Sequence, residues 1–346
     1  MKLSKTSKLW LVLILILSVT FVFAGCGGGG GDKAATTDKG PIVAKFTHVV
    51  AAETTKGRII QYFADTVAKK SNGRMKIDVF ASGQLYGDAE EMEALVANNA
   101  QFIAPSSTKV VALDPGFQIF DLMFLFPTED SVAKFFKDPK GGKQMMARLE
   151  NKGLVGIGFL PSGFKQWYNS KHPINSVADM KGVKFRAAAG GILTEQYAAM
   201  GSSSVSIPFG EVYSALQLKT VDGSENNWAN IFSQNYFEVG PYITYSDHGR
   251  FDYSVLSNKK FMDSLPADLR KIVEDSWMEA QDYGVSIIVK EEEDFKNKII
   301  ATGKVTINKL TPEQRAEFKK AVEPVWDKWR SKIGEDIFER ALESGK

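Results

Sequence analysis

From Pro266 to about Ile300 the chain carries an unbroken helical pattern, and no other feature restricts the fold as much. At 1.5 Å per residue such a helix is roughly 50 Å long. That is more than one small lobe needs. A helix spanning two lobes, as a strut that bends or shears when they close, accounts for the length. Chain size agrees: of 346 residues, roughly 300 belong to the folded part, which suits two lobes better than one core. Further on, Thr311-Pro312-Glu313-Gln314 supplies an N-cap, Pro at N1 and a capping-box Gln. The helix it opens buries Phe318, Val322, Val325 and Trp329.

Upstream, helix and strand signals alternate. Lys56 to Lys70 sets Ile59, Ile60, Phe63 and Val67 on one helical face, and Asn72-Gly73 supplies the stop. Met75 to Phe80 reads as a strand. Asp88 and Glu91 read as a capping box before a helix whose Met92, Leu95 and Val96 face inward. Phe102-Ile103-Ala104 and Leu154 to Leu160 read as buried strands, Val183 to Ala187 extends from a turn closed by Gly182, and a strand lies near Phe251 to Leu256. This order predicts an α/β class with parallel or mixed sheets.

The N-terminus reads as an address. Lys2, Lys5 and Lys8 precede an apolar run from Trp10 to Phe23, followed by Ala24-Gly25-Cys26. A positive region, an apolar region and small residues at the cut make residues 1–25 a secretory signal. The apolar run reaches roughly 21 Å as a helix, short of the roughly 30 Å of a hydrocarbon core. Cys26, the chain's single cysteine, stands where a bacterial lipobox places its lipidated residue, with Phe23 in place of the usual leucine. Residues 26–41, opening on Gly27 to Gly31, read as a flexible linker. Loss of the first segment takes three lysines and leaves 40 Lys+Arg against 41 Asp+Glu. A balance so near neutral gives no reason to expect a nucleic-acid partner.

Any charge that matters is therefore local, and the stretch VKFRAAAGG followed by SIPFGEVYSALQLKTVDGSENN points to where. An arginine, Arg186, ends a short strand at a Gly-Gly helix entry. Its guanidinium offers five donors in a rigid fork that fits a carboxylate bidentately. A helix follows, and a turn then closes on Asn226 and Asn227. Ser71-Asn72-Gly73-Arg74, Ser82-Gly83-Gln84-Leu85, Ala104-Pro105-Ser106, Phe124-Leu125-Phe126-Pro127 and Gly163-Phe164-Lys165 stand ahead of it in order. Together these motifs resemble the substrate-binding subunits of TRAP transporters, the DctP family, from about Lys45 to the C-terminal helices. The resemblance implies a two-lobed, periplasmic-binding-protein type II-like architecture with mixed sheets and a lobe-bridging helix. The expected division is 42–163 plus 253–291 for one lobe and 164–252 plus 292–346 for the other.

The resemblance also implies roles. Arg186 would hold the carboxylate of an organic acid, Asn226 would hydrogen-bond the same group, and Phe209 would form an aromatic wall. Lys165 stands where many members carry a second arginine, and a lysine is a point charge rather than a fork. Glu225-Asn226-Asn227-Trp228 resembles the branch that takes uronates and aldonates. An amide offers donors and acceptors to hydroxyls, and an indole can cover a sugar's C–H face. Asn227 and Trp228 are therefore candidate ligand residues, although a turn residue and a core anchor are their plain alternatives. Ser106, His48 and Glu53 complete the candidate set, Glu53 as a buried acceptor for hydroxyls. Glu291-Glu292-Glu293-Asp294 reads as a solvated helix face.

Enzyme chemistry finds no footing in the sequence. The three histidines, His48, His172 and His248, lack metal-ligand spacing, and there is no G-x-S-x-G elbow. No cofactor is expected. Two readings follow. One is a lipid-anchored extracytoplasmic receptor that closes on an organic acid, with a sugar acid expected ahead of a C4-dicarboxylate, and passes it to an ion-gradient-driven permease. The other is a surface lipoprotein with enzymatic or protein-binding activity.

Overall fold

The computed structural model describes residues 40–346. The signal segment, Cys26 and nearly all of the linker lie outside these residues. Eleven strands are present: β1 (Ile42–Thr47), β2 (Met75–Phe80), β3 (Phe102–Ile103), β4 (Leu154–Leu160), β5 (Phe164–Asn169), β6 (Lys184–Ala187), β7 (Ser203–Ser206), β8 (Gly223–Asn226), β9 (Tyr242–Arg250), β10 (Tyr253–Asn258) and β11 (Thr306–Lys309). They form a five-stranded sheet ordered β2-β1-β3-β10-β4 and a six-stranded sheet ordered β11-β9-β5-β8-β6-β7. Both sheets are mixed. β1 runs parallel to β2 and β3, whereas β10 is antiparallel to β3 and β4. In the second sheet β6 is parallel to β7 and β8, and β5 is antiparallel to β8 and β9. The chain crosses from one sheet to the other between Leu160 and Phe164 and returns between Arg250 and Tyr253.

Local chemistry explains the first βαβ unit. Thr54 caps the helix Thr55–Lys70 by accepting from the Gly57 amide at 3.2 Å. Gly57 must be glycine because a Cβ there would lie 2.3 Å from the Ala52 carbonyl oxygen. The helix ends where Asn72 and Gly73 turn to positive φ, a conformation that costs glycine little. Its apolar face buries Ile59, Ile60, Phe63 and Val67. The edge of the Phe63 ring meets Phe46, Phe102 and Trp277.

The long helix is Ala267–Ala301, of 35 residues. It packs on the helices of both sheets. Trp277 lies 5.4 Å from Phe63 between ring centroids, Gly284 abuts Ile59 and Pro161, and Phe295 packs on Phe232 at 5.7 Å. The final strut, Pro312–Ile333, carries the Thr311/Gln314 capping box and buries Phe318, Val322, Val325 and Trp329.

Two expectations about acidic residues are corrected. Glu292 is not solvated. It is 8% exposed, because its carboxylate accepts the Trp228 and Ala229 amides at 2.8 and 3.2 Å. Asp88 and Glu91 form no capping box. The helix Glu91–Val96 has no side-chain cap, Asp88 makes its bonds elsewhere, Glu91 is buried, and Val96 is 60% exposed. A helix of so few turns buries only a narrow stripe, here Ala94 and Leu95.

Replacing Trp277 by Ala removes the ring that joins the long helix to the Phe63 cluster. Urea denaturation should show a loss of about 3–5 kcal/mol, as for other buried aromatic truncations. A loss below about 1 kcal/mol would mean that the long helix is not held by this contact.

Candidate functional site

Alternation along β8 decides what each of its side chains meets. Successive residues of a strand face opposite sides of the sheet. Ser224 pairs with Arg186 of β6 and with Tyr168 of β5, so these three share a face, and Asn226 lies on it one repeat further. Glu225 points the other way.

Arg186 is 2% exposed. Its Nε donates to the Ile207 carbonyl at 2.8 Å. Among the described residues no carboxylate lies within ion-pair distance of it. Nearby on the same face, the Asn226 side chain is wholly buried, and its Nδ2 has no acceptor. The other end of that amide is fixed, since Oδ1 accepts from the Asn227 amide (3.1 Å) and from Asn230 Nδ2 (2.8 Å). The Tyr168 hydroxyl on this face is also buried without a partner. A guanidinium without counter-ion beside orphaned donors is an arrangement that folding alone does not favour.

Opposite Arg186 stand residues carried by the five-stranded sheet and its loops: Val49, Val50, Asp88, Ser106, Lys109 and Tyr253. Phe209, Ala188 and Phe251 complete the walls, and the cavity between them is about 20 Å³. Asp88 spans the gap. Its Oδ2 meets Lys109 Nζ at 3.1 Å and accepts the Phe209 amide at 3.2 Å. Arg186, Phe209 and Ser106 thus share the cleft. Lys109 and Tyr253 were not singled out in the sequence and Asp88 was read only as a helix cap, although Lys109, close behind a buried strand and Pro105, was a legible signal.

The remaining candidates are placed elsewhere. Lys165, 2% exposed, lies on the opposite face. Its Nζ is 2.8 Å from Glu225 Oε1 and 3.8 Å from Asp121. His248 Nε2 and the Tyr197 hydroxyl bond the other Glu225 oxygen at 2.9 and 2.7 Å. Burial pushes the Glu225 carboxyl up, but the Lys165 charge and the His248 hydrogen bond outweigh it and hold the group well below the usual carboxylate range. Glu225 therefore anchors a buried network. Glu53 is exposed, not buried. Asn227 donates to the Ser162 carbonyl and hydroxyl and caps the helix Trp228–Ser233 through Asn230 N. Trp228 packs edge-on against Tyr245 at 5.6 Å. Both are committed to structure by these contacts.

His48 lies beside a second buried group of charges. Neither ring nitrogen has a partner, and burial together with the nearby Lys56 charge lowers its pKa to about 3. Lys56 Nζ donates to the Ala104 carbonyl at 2.6 Å and sits 3.7 Å above the Tyr253 ring. Burial lowers its pKa to about 8, against the pull of Glu91 and Asp88. Burial raises Glu91 to about 8, although Lys56 and Lys109 oppose the shift. Among the described residues no group of His, Cys, Asp and Glu is gathered as a metal site.

Comparison with known proteins places this geometry. The model of the bacterial extracellular solute-binding proteins, family 7 (DctP), matches residues 46–332. The C4-dicarboxylate-binding periplasmic protein DctP of Shewanella loihica is 38% identical over 306 residues, 88% of this chain and 90% of that protein. A TRAP periplasmic solute binding protein from Shewanella oneidensis, solved with bound succinate, aligns with a TM-score of 0.85 at 36% identity, over 88% of this chain and 100% of that one. The sugar acid binding protein DctPAm from Advenella mimigardefordensis, in complex with galactonate, reaches 0.84 at 28% identity, over 88% of this chain and 98% of its own.

Glu91 gives a test of the buried charges. Its folded pKa lies above the ordinary 4.5, so its contribution to stability is fully present below that value and is lost as pH rises through about 8. Glu91→Gln removes this titration while Lys56, Asp88 and Lys109 remain around the site. Denaturant melts at acid and at mildly alkaline pH should show the variant gaining on the wild type as pH rises. An unchanged difference would mean that Glu91 is already ionised in the fold.

Proposed function

Since the chain belongs to family 7 of the bacterial extracellular solute-binding proteins, the DctP receptors of TRAP transporters, we propose that it captures a C4-dicarboxylate by closing two lobes around it. Each lobe is built on one sheet, and the two crossings and the long helix form the hinge. Membership of the family makes it a transport receptor rather than an enzyme. A surface enzyme or interaction protein finds no support among its relatives.

The observation that carries the ligand reading is Arg186, buried with no counter-ion among the described residues. Its fork grips one carboxylate of the ligand, and the free Nδ2 of Asn226 donates to the same group. Lys109 meets the second carboxylate, held in place by Asp88. Val49, Val50, Phe209 and Phe251 close the sides, and excluding water strengthens each charge contact. A dicarboxylate replaces the sugar acid as the ligand put forward here, for three reasons. Asn227, Trp228 and Glu53 lie away from the cleft, a second cation lines it, and relatives at 36–38% identity are named or solved with C4-dicarboxylates. Galactonate in the structure from Advenella mimigardefordensis supports the sugar-acid reading as the second choice.

Delivery is to a membrane permease powered by an ion gradient, with the receptor held at the membrane through a lipid on Cys26. That anchoring rests on residues 1–26 of the sequence. Mass spectrometry of the peptide beginning at Cys26 should find it diacylated, and an unmodified cysteine would remove the anchor from the proposal.

Calorimetry against succinate, malate, fumarate, galactonate and glucuronate tests the receptor. Succinate or malate should bind, and Arg186→Ala should cost about 3–5 kcal/mol, roughly a hundredfold or more in affinity. Lys109→Met should weaken the dicarboxylates but leave a monocarboxylate of similar size unaffected. Binding of galactonate alone would establish the second choice, and full affinity in Arg186→Ala would dismiss the clamp.

A further inference from the structure

Glu292, the acidic residue buried in the C-terminal half of the long helix, has a position that ligand binding alone does not explain. All three connections between the sheets meet there. In the first crossing, Ser162 N donates to Asp252 Oδ1 at 3.2 Å, and Gly163 O accepts from Phe251 N at 3.0 Å, which ties it to the second crossing. Asp252 holds Arg250 through two bonds, and Arg250 reaches on to Glu129 at 2.6 Å. The third connection is the long helix itself, which meets the first crossing at Pro161 through Gly284 and at Gly163 through Glu292. Gly163 has φ +96°, and a Cβ on it would lie 3.0 Å from the Glu292 Cγ. That backbone conformation favours glycine, and the crossing passes this side chain in close contact.

From the same point a line of hydrogen bonds leads to the cleft. Glu292 accepts the Trp228 and Ala229 amides, and its Oε1 lies 3.4 Å from Asn227 Nδ2. That Nδ2 also donates to Ser162 of the crossing. The Asn227 backbone amide donates to Asn226 Oδ1, the far end of the side chain whose Nδ2 faces no acceptor. The links share groups, since Asn227 Nδ2 meets both Ser162 and Glu292 and its backbone amide meets Asn226 Oδ1, so a turn of Asn226 toward a ligand disturbs Asn227, and a shift of Asn227 disturbs the crossing.

We propose that Asn227 and Glu292 are positioning residues that couple carboxylate capture at Asn226 to closure of the hinge; this rests on the receptor reading above. The open and closed arrangements of the hinge are the two states that both ends of the line bias. Neither residue touches the ligand. Their removal therefore alters how far capture shifts the balance of states, and not the charge contacts at Arg186.

Distance measurement between spin labels at Lys76→Cys and Ser203→Cys, one on each sheet, in a full-length Cys26→Ser background tests this with succinate as the probe. Wild type should move from a long to a short distance on saturation. Glu292→Gln keeps the shape but loses one acceptor. It should still bind succinate, with the closed-to-open ratio at saturation reduced by roughly tenfold, equivalent to about 1.4 kcal/mol. Asn227→Ser retains a hydroxyl to cap the helix but cannot reach Ser162, and should show the same loss, which keeps the test available if Glu292→Gln does not fold. If folded variants close as fully as wild type, the coupling is overturned while the receptor stands. If wild type itself neither binds nor closes with succinate, malate or galactonate, the receptor reading falls and the coupling with it.

Discussion

A buried guanidinium with no counter-ion among the described residues organises this molecule. Stripping a charge of water is costly, and proteins normally repay the cost with a partner carboxylate. Arg250 and Lys165 follow that rule, with Asp252 and Glu129 and with Glu225, and Lys56 is met instead by the Ala104 carbonyl and the Tyr253 ring. Arg186 breaks it. Its burial is sustained by the Ile207 carbonyl and by a strand locked on both sides, so the fold carries the strain of an unanswered charge at one chosen point. Stability arguments alone leave this residue unexplained, and the anionic ligand proposed above would account for it.

The neighbouring strand shows how closely the two kinds of charge are kept apart. Glu225 and Asn226 are consecutive, yet alternation sends one into the Lys165–His248 network and the other to the face of Arg186. A one-residue slip of β8 would bring the Glu225 carboxylate to Arg186 and quench it. The Lys165–Glu225 pair is therefore more than packing. By engaging the acid on the far face, it pins the register that keeps the clamp free.

How much of this was legible from the sequence depended on the kind of signal. The long helix and the βαβ alternation were legible because apolar periodicity writes them directly, as in Ile59, Ile60, Phe63 and Val67. β8, Gly-Ser-Glu-Asn, was missed as a strand because it is buried on both faces with polar side chains, and β9 and β11 are almost as polar. Arg186 could be picked out from its place between an apolar strand and a glycine pair. Asn227, Trp228 and Glu53 were picked because their chemistry suits a sugar, whereas what Asn227 and the Trp228 amide touch is settled by Ser162 and Glu292, 60 or more residues away. The same long-range contact turned Glu292, one of four consecutive acids, from a surface residue into a buried one. Composition along a helix cannot reveal such a partner.

The single bond from Asp88 to the Phe209 amide has a geometric consequence. It is 3.2 Å long, it bridges the two walls of the cleft, and it can form only when they are a fixed distance apart. On the receptor reading proposed above, a molecule too long for the gap would prop that pair open however well its first carboxylate were held. One too short would leave Lys109 facing Asp88 alone. The walls would then act as a caliper, measuring the length of the guest by whether the jaws can meet.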